Sequence, residues 1–193
     1  MTFITKKPPP SGRIGQHTGK FERHLYEAAV MLAIARWLFA SGARKVHLHP
    51  DGEHAKRFDI CRWLANEGFK KIAPIRNRPE SGEWACGHQS LSIEFKSGRG
   101  DVVADIEDCR IVVEAKGGII NTSNSGQKSK LRKHLYEAVG MLLRRSNNGD
   151  RLIAAVPLHP ETEKIAHRMA ERCREIGIEI ALVSGEGTIQ LCD

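Results

Sequence analysis

Two short runs rich in β-branched residues, 102–106 and 110–113, flank the polar step Glu107-Asp108. They read as two strands joined by a tight turn, and the period-2 alternation of strands then fixes which side chains share a face. With Glu107 and Asp108 as the loop, Ile106 faces Cys109, Asp105 faces Arg110 and Asp101 faces Glu114. Directly opposed residues have Cβ atoms about 4.5–5.5 Å apart. Lys116, two residues beyond Glu114, joins the same face. Apolar residues fill both faces of these strands, so the expectation is a buried sheet. Two carboxylates and an ammonium placed there are costly to fold unless something, a metal ion foremost, compensates them. Asp105 shares the face but lies roughly 13 Å along it at the usual strand rise, and pairs with Arg110. The competing reading is an ordinary surface hairpin carrying a salt bridge.

The remainder of the chain supplies a frame for that hairpin. At 193 residues it is long enough for a substantial core. Residues 1–19 contain Lys6-Lys7-Pro8-Pro9-Pro10-Ser11-Gly12-Arg13, basic and hostile to helix, and read as a flexible arm ahead of one domain over 20–193. Residues 20–40 carry two apolar stripes at helical spacing, and Glu27 heads one of them. It is either an acid of the site or a surface glutamate favoured by the helix dipole. A strand is expected at 46–49, a helix over 54–66, loop over 73–90, and a strand at 91–95 leading into the hairpin. A helix over 128–145, a strand at 151–156, a helix from Pro160 to Gly177, a strand at 178–183 and an edge at 188–191 follow. This order predicts an α/β fold, a central mixed β-sheet flanked by helices. One similarity stands apart: Arg23-His24-Leu25-Tyr26-Glu27-Ala28 recurs as Lys133-His134-Leu135-Tyr136-Glu137-Ala138, read as similar amphipathic turns inside two helices.

Asp101, Glu114 and Lys116 together resemble the PD-(D/E)XK nuclease superfamily, the restriction-endonuclease-like fold. Its motif is an aspartate on one strand, a variable gap, then Glu or Asp, any residue and Lys on the next. Glycine stands at position 100 where the motif has proline. The resemblance covers roughly residues 20–156 and implies a restriction-endonuclease-like core. It also implies an acid on the first helix, matched by Glu27, and a Gln or Lys on the helix after the motif, matched by Gln127 or Lys130. A second Glu-x-Lys, Glu94-Phe95-Lys96, has no aspartate between Gly82 and Ile93 and fails the full pattern.

The chemistry expected of such a site is hydrolysis of a phosphodiester. Asp101 and Glu114 are hard oxygen ligands suited to Mg²⁺, with Mn²⁺ as a substitute. The resemblance implies that the backbone carbonyl of Ala115 completes the protein ligands and that Lys116 orients water or stabilises charge. A net charge of +7 favours a polyanionic partner, DNA foremost. Lys128, Lys130, Arg132 and Lys133 on the following helix, with the basic arm, are the expected phosphate contacts. The leading function is thus a Mg²⁺-dependent DNA endonuclease. The alternatives are a nuclease-fold nucleic-acid-binding module without catalysis, or another metal-dependent phosphate-ester hydrolase. Cutting both strands with one site per chain favours a homodimer. Five dispersed cysteines and the lack of a long apolar run point to a cytoplasmic protein without a membrane partner. A further cluster, His47, His49, Asp51, Glu53 and His54, is a weak candidate for a transition metal, since no zinc-finger spacing accompanies it.

Overall fold

The structure is a computed structural model and describes residues 2–52, 56–74, 78–95, 98, 100–145 and 149–192, with only the backbone of Arg145. Its centre is a nine-stranded mixed sheet. In chain order the strands are β3 (Lys45–Leu48), β4 (Lys70–Pro74), β5 (Gly82–Cys86), β6 (Gln89–Ile93), β7 (Val102–Ile106), β8 (Cys109–Ala115), β10 (Arg151–Pro157), β11 (Ile178–Val183) and β12 (Ile189–Cys192). Across the sheet they run β12-β11-β10-β8-β7-β3-β6-β5-β4. A three-stranded sheet of β1 (Thr5–Lys7), β2 (Glu22–Leu25) and β9 (Gly118–Ile119) lies beside it, in the order β1-β2-β9.

Helices cover both faces. Helix α1 (Glu27–Ala40) packs with Ile111, Val113, Ala115, Ile153 and Ala155 into one core. Helices α3 (Ser125–Arg145) and α4 (Pro160–Glu175) pack with Val112, Ala154, Val156 and Ile180 into the other. Alternate residues of β8 and β10 therefore enter opposite cores, which is why these strands are apolar on both faces. Helix α3 carries the chain from β8 to the parallel β10, a crossover that leaves the C-terminal ends of both strands beside it. A short helix, α2 (Ile60–Asn66), begins at Asp59, whose side chain accepts from Arg62 N–H.

The hairpin forms in the expected register, with Asp105 opposite Arg110 and Ile106 opposite Cys109. Glu107 takes a φ of 54°, the conformation that two-residue hairpin turns require. Several other expectations are corrected. The helix expected from residue 20 begins at Glu27, because β1 and β9 both pair with β2 and hold Glu22–Leu25 extended. The first Arg-His-Leu-Tyr-Glu-Ala copy thus straddles a strand and a helix; only the second is wholly helical. The segment expected as loop over 73–90 holds β5 and the ends of β4 and β6. Strand β6 does not neighbour β7: β3 lies between them, parallel to β6 and antiparallel to β7. The expected start of the helix at His54 lies outside the described residues; within them α2 begins at Ile60.

The arm expected to be flexible lies against the body. Phe3 is fully buried, its N–H donates to Gly185 O (3.1 Å), and β1 pairs with β2. At the other end Thr18 N–H donates to Asn121 O (2.8 Å) and Ser123 N–H to Gln16 O (2.8 Å). An apolar anchor at one end and backbone hydrogen bonds at the other give this segment a fixed course between them. No helix among the described residues is long and apolar enough to cross a membrane.

Candidate active site

Asp101, Glu114 and Lys116 meet at the C-terminal end of β8. Asp101 N–H donates to Val113 O (2.9 Å), the residue already opposite Val102, so the regular register ends at Val102 and Asp101 sits just beyond it. The Asp101 carboxylate accepts the backbone N–H of Ala115 (2.8 Å). Gly100 makes this possible: a Cβ there would lie 2.7 Å from Val112 Cγ1 and 2.9 Å from Val113 O. Glu114 is 2 % exposed, and Lys116 Nζ donates to its Oε1 at 3.0 Å. The Lys116 backbone N–H is bound to Ala155 O (2.9 Å), so β10 holds the end of the motif from the other side.

The electrostatics of this group are strained. Burial, then the neighbouring Glu114 carboxylate, push the Asp101 carboxyl up to about 7; the bond from Ala115 and the charge of Lys116 offset this only in part. For Lys116, burial alone would lower the ammonium, but Asp101, Glu114 and Glu27 outweigh it and hold it above its usual value. Two carboxylates on one sheet face thus call for more positive charge than one lysine supplies. Among the described residues no three His, Cys, Asp or Glu side chains gather closely enough to hold a metal ion. Mg²⁺ does not require three, since it is usually held by one or two carboxylates together with water and substrate oxygens. The hard donors Asp101 and Glu114 fit such an ion.

Beside this group opens a cleft of about 690 Å³ lined by Lys116 and Gly117, with Asp101 and Glu114 behind its lining. Glu27, 8 % exposed, reaches it from the start of α1, and Gln127 and Lys130 reach it from α3. Gly117 allows the motif and the start of α1 to approach closely, since a Cβ there would stand 2.5 Å from Glu27 N and 2.7 Å from Leu25 O. This contact brings the expected acid of the first helix to the motif.

The expected basic face of α3 divides. Lys130 lines the cleft. Lys128 and Arg132 are paired with Glu161 of α4 at 3.7 and 2.8 Å, and Lys133 is exposed away from the cleft lining. Arg132 and its hydrogen bond hold the Glu161 carboxyl below its usual range. A neighbouring helix thus competes with phosphate for two of the four cations. The His47 cluster gathers no metal-binding group within the described residues, and Glu53 and His54 lie outside them, as does Lys96 of the second Glu-x-Lys.

The sequence reading missed His24, Tyr26, His134 and Glu137, which also line the cleft. The signal was the repeated His-Leu-Tyr-Glu, whose two copies converge on opposite sides of Gly117. His134 Nδ1 donates to Gly117 O (2.7 Å), and burial keeps its imidazole below the usual pKa, hence neutral. His24 bonds Glu22 at 2.9 Å and stacks on Tyr26; burial lowers its pKa as well. Compared with known proteins, the chain matches no family model, no curated protein and no solved structure.

Proposed function

We propose that the chain is a metal-dependent deoxyribonuclease with a restriction-endonuclease-like core, hydrolysing phosphodiester bonds in DNA. The observation that carries this reading is the half-buried Asp101 carboxyl set beside the buried Glu114 and Lys116, with Asp101 driven to hold a proton near neutrality. The order of α1, the β7–β8 hairpin, the α3 crossover and β10 supports this reading, whereas the three-stranded meander of the resemblance does not form, because β3 lies between β6 and β7.

Asp101 and Glu114, with the Ala115 carbonyl, would hold Mg²⁺ or Mn²⁺. The bound ion supplies Lewis-acid polarisation of the phosphate and a lowered pKa for the attacking water. Lys116 keeps its ammonium charged at neutral pH and presents it at the cleft floor, where it stabilises charge building on the phosphate oxygens. Glu27 and Gln127 border the same floor and orient water and the backbone undergoing attack. Lys130 neutralises a neighbouring phosphate.

The test is cleavage of plasmid DNA in Mg²⁺, expected to stop on addition of EDTA. Asp101→Ala should abolish cutting while leaving DNA binding largely intact; undiminished cutting would remove Asp101 from the site. Lys116→Ala should keep metal binding and lose turnover. Binding without any cutting by the wild-type chain would leave the non-catalytic module as the reading.

A further inference from the structure

The cleft does not end at Lys116. On the far side of that residue a second hollow, about 430 Å³, is lined by Glu137, Gly140, Met141 and Arg144. The residues of α3 that face the two hollows, 127, 130, 134, 137, 141 and 144, recur every three or four positions. They form one stripe along the helix, about 25 Å long at the helical rise. Lys116 borders both hollows, so a phosphate beside it would lie part-way along a groove and not at a blind end.

The opposite wall of the first hollow is the N-terminal strap. Fastened at Phe3 and at Gln16–Thr18, it places Lys7, Pro8 and Arg13 across from α3. At its foot the rings of His24 and Tyr26 stack with centroids 5.2 Å apart, and the Lys7 ammonium lies 5.3 Å from the Tyr26 centroid. Aromatic rings beside cations are what unpaired bases and their phosphates bind, because every base offers a π-face once it is out of the duplex. A duplex turns its bases inward and needs a broad, open surface to present its backbone.

Resting on the nuclease reading above, we propose that the groove takes a single unpaired polynucleotide strand, laid along α3 with its bases toward Tyr26 and His24 and its backbone passing Lys116. The strap and α3 are the two walls that favour one unpaired strand over a duplex, so a plasmid would be cut where supercoiling opens its strands.

The test is fluorescence anisotropy in EDTA, so that binding is read without cleavage. The probes are a labelled thymidine oligonucleotide, its ribose counterpart of uridines, and a blunt duplex of mixed sequence. The single strands should bind at least tenfold more tightly than the duplex; the two sugars distinguish DNA from RNA within the same chemistry. Tyr26→Ala should weaken single-strand binding about tenfold or more, as loss of a stacking ring does. Arg144→Glu, an exposed change at the other end, should weaken it and reduce the salt slope by about one. Duplex binding equal to or tighter than single-strand binding overturns the proposal, as does wild-type affinity in both variants. Plasmid cutting combined with duplex preference would sink this inference and spare the nuclease reading. Single-strand preference without cutting of either the oligonucleotides or the plasmid in Mg²⁺ would do the reverse.

Discussion

Asp101 makes the stability of the metal-free protein depend on pH. Its folded pKa of about 7 lies above the ordinary 3.8, so between these values the folded state binds more protons than the unfolded one. Stability from this group therefore falls as pH rises from about 4 to about 7. Asp101→Asn should raise the melting temperature in EDTA by several degrees at about pH 8 and change little at about pH 4. Mg²⁺ should stabilise the wild-type chain more at about pH 8 than at about pH 6, because protons compete for the same carboxylate. A Mg²⁺-induced shift that ignores pH would separate Asp101 from the ion. Gly117→Ala is the matching steric test. Its Cβ would press on the backbone of Leu25 and Glu27, and a loss of about 1–3 kcal/mol in denaturant unfolding is expected, together with lost cutting. Asp101, Glu114 and Lys116 were legible because a two-residue turn fixes their register locally. The engagement of Lys128 and Arg132 was not, because Glu161 arrives from a separate helix.

Elements formed by local pattern were readable, and those formed by distant pairing were not. Helix α4 begins at Pro160 as expected, and His159 and Thr162 cap it reciprocally. Strand β11 spans the expected 178–183. Strand β2, by contrast, has a helix-like pattern and becomes extended only because β1 and β9 bond to both its edges. Asn121 is the joint of that small sheet: its Oδ1 accepts from Arg23 N–H, and its amide donates to Phe21 O and Thr18 O. Asn121→Ala should leave these backbone groups unsatisfied. It should cost about 1–3 kcal/mol by chemical denaturation, with weaker nucleic-acid binding as the strap loosens. Wild-type stability in this variant would mean that Phe3 and the backbone bonds hold the strap without the Asn121 side chain. The five cysteines remain free thiols, so no disulfide contributes to holding it.

At the scale of the whole molecule, the excess of basic residues is spread well beyond the cleft, so it acts as a long-range field. Association with any polyanion should slow and weaken steeply with salt, a trend read from binding rates at two or three ionic strengths. A salt-independent rate would place recognition in contacts other than phosphate. The unequal anchoring of the strap and of the strand that carries Glu114 has a further consequence. Strand β8 carries Glu114 and is paired on both sides in the interior of the nine-stranded sheet, whereas β1 is an edge strand of a three-stranded one. Opening the first requires unfolding the core; opening the second requires only local release. Amide hydrogens of β8 should thus exchange only at the rate of global unfolding, and those of β1 many-fold faster. The protein would then have a carboxylate-bearing strand that keeps time with its lifetime and a strap wall that breathes within it, admitting a polynucleotide laterally without disturbing the carboxylates.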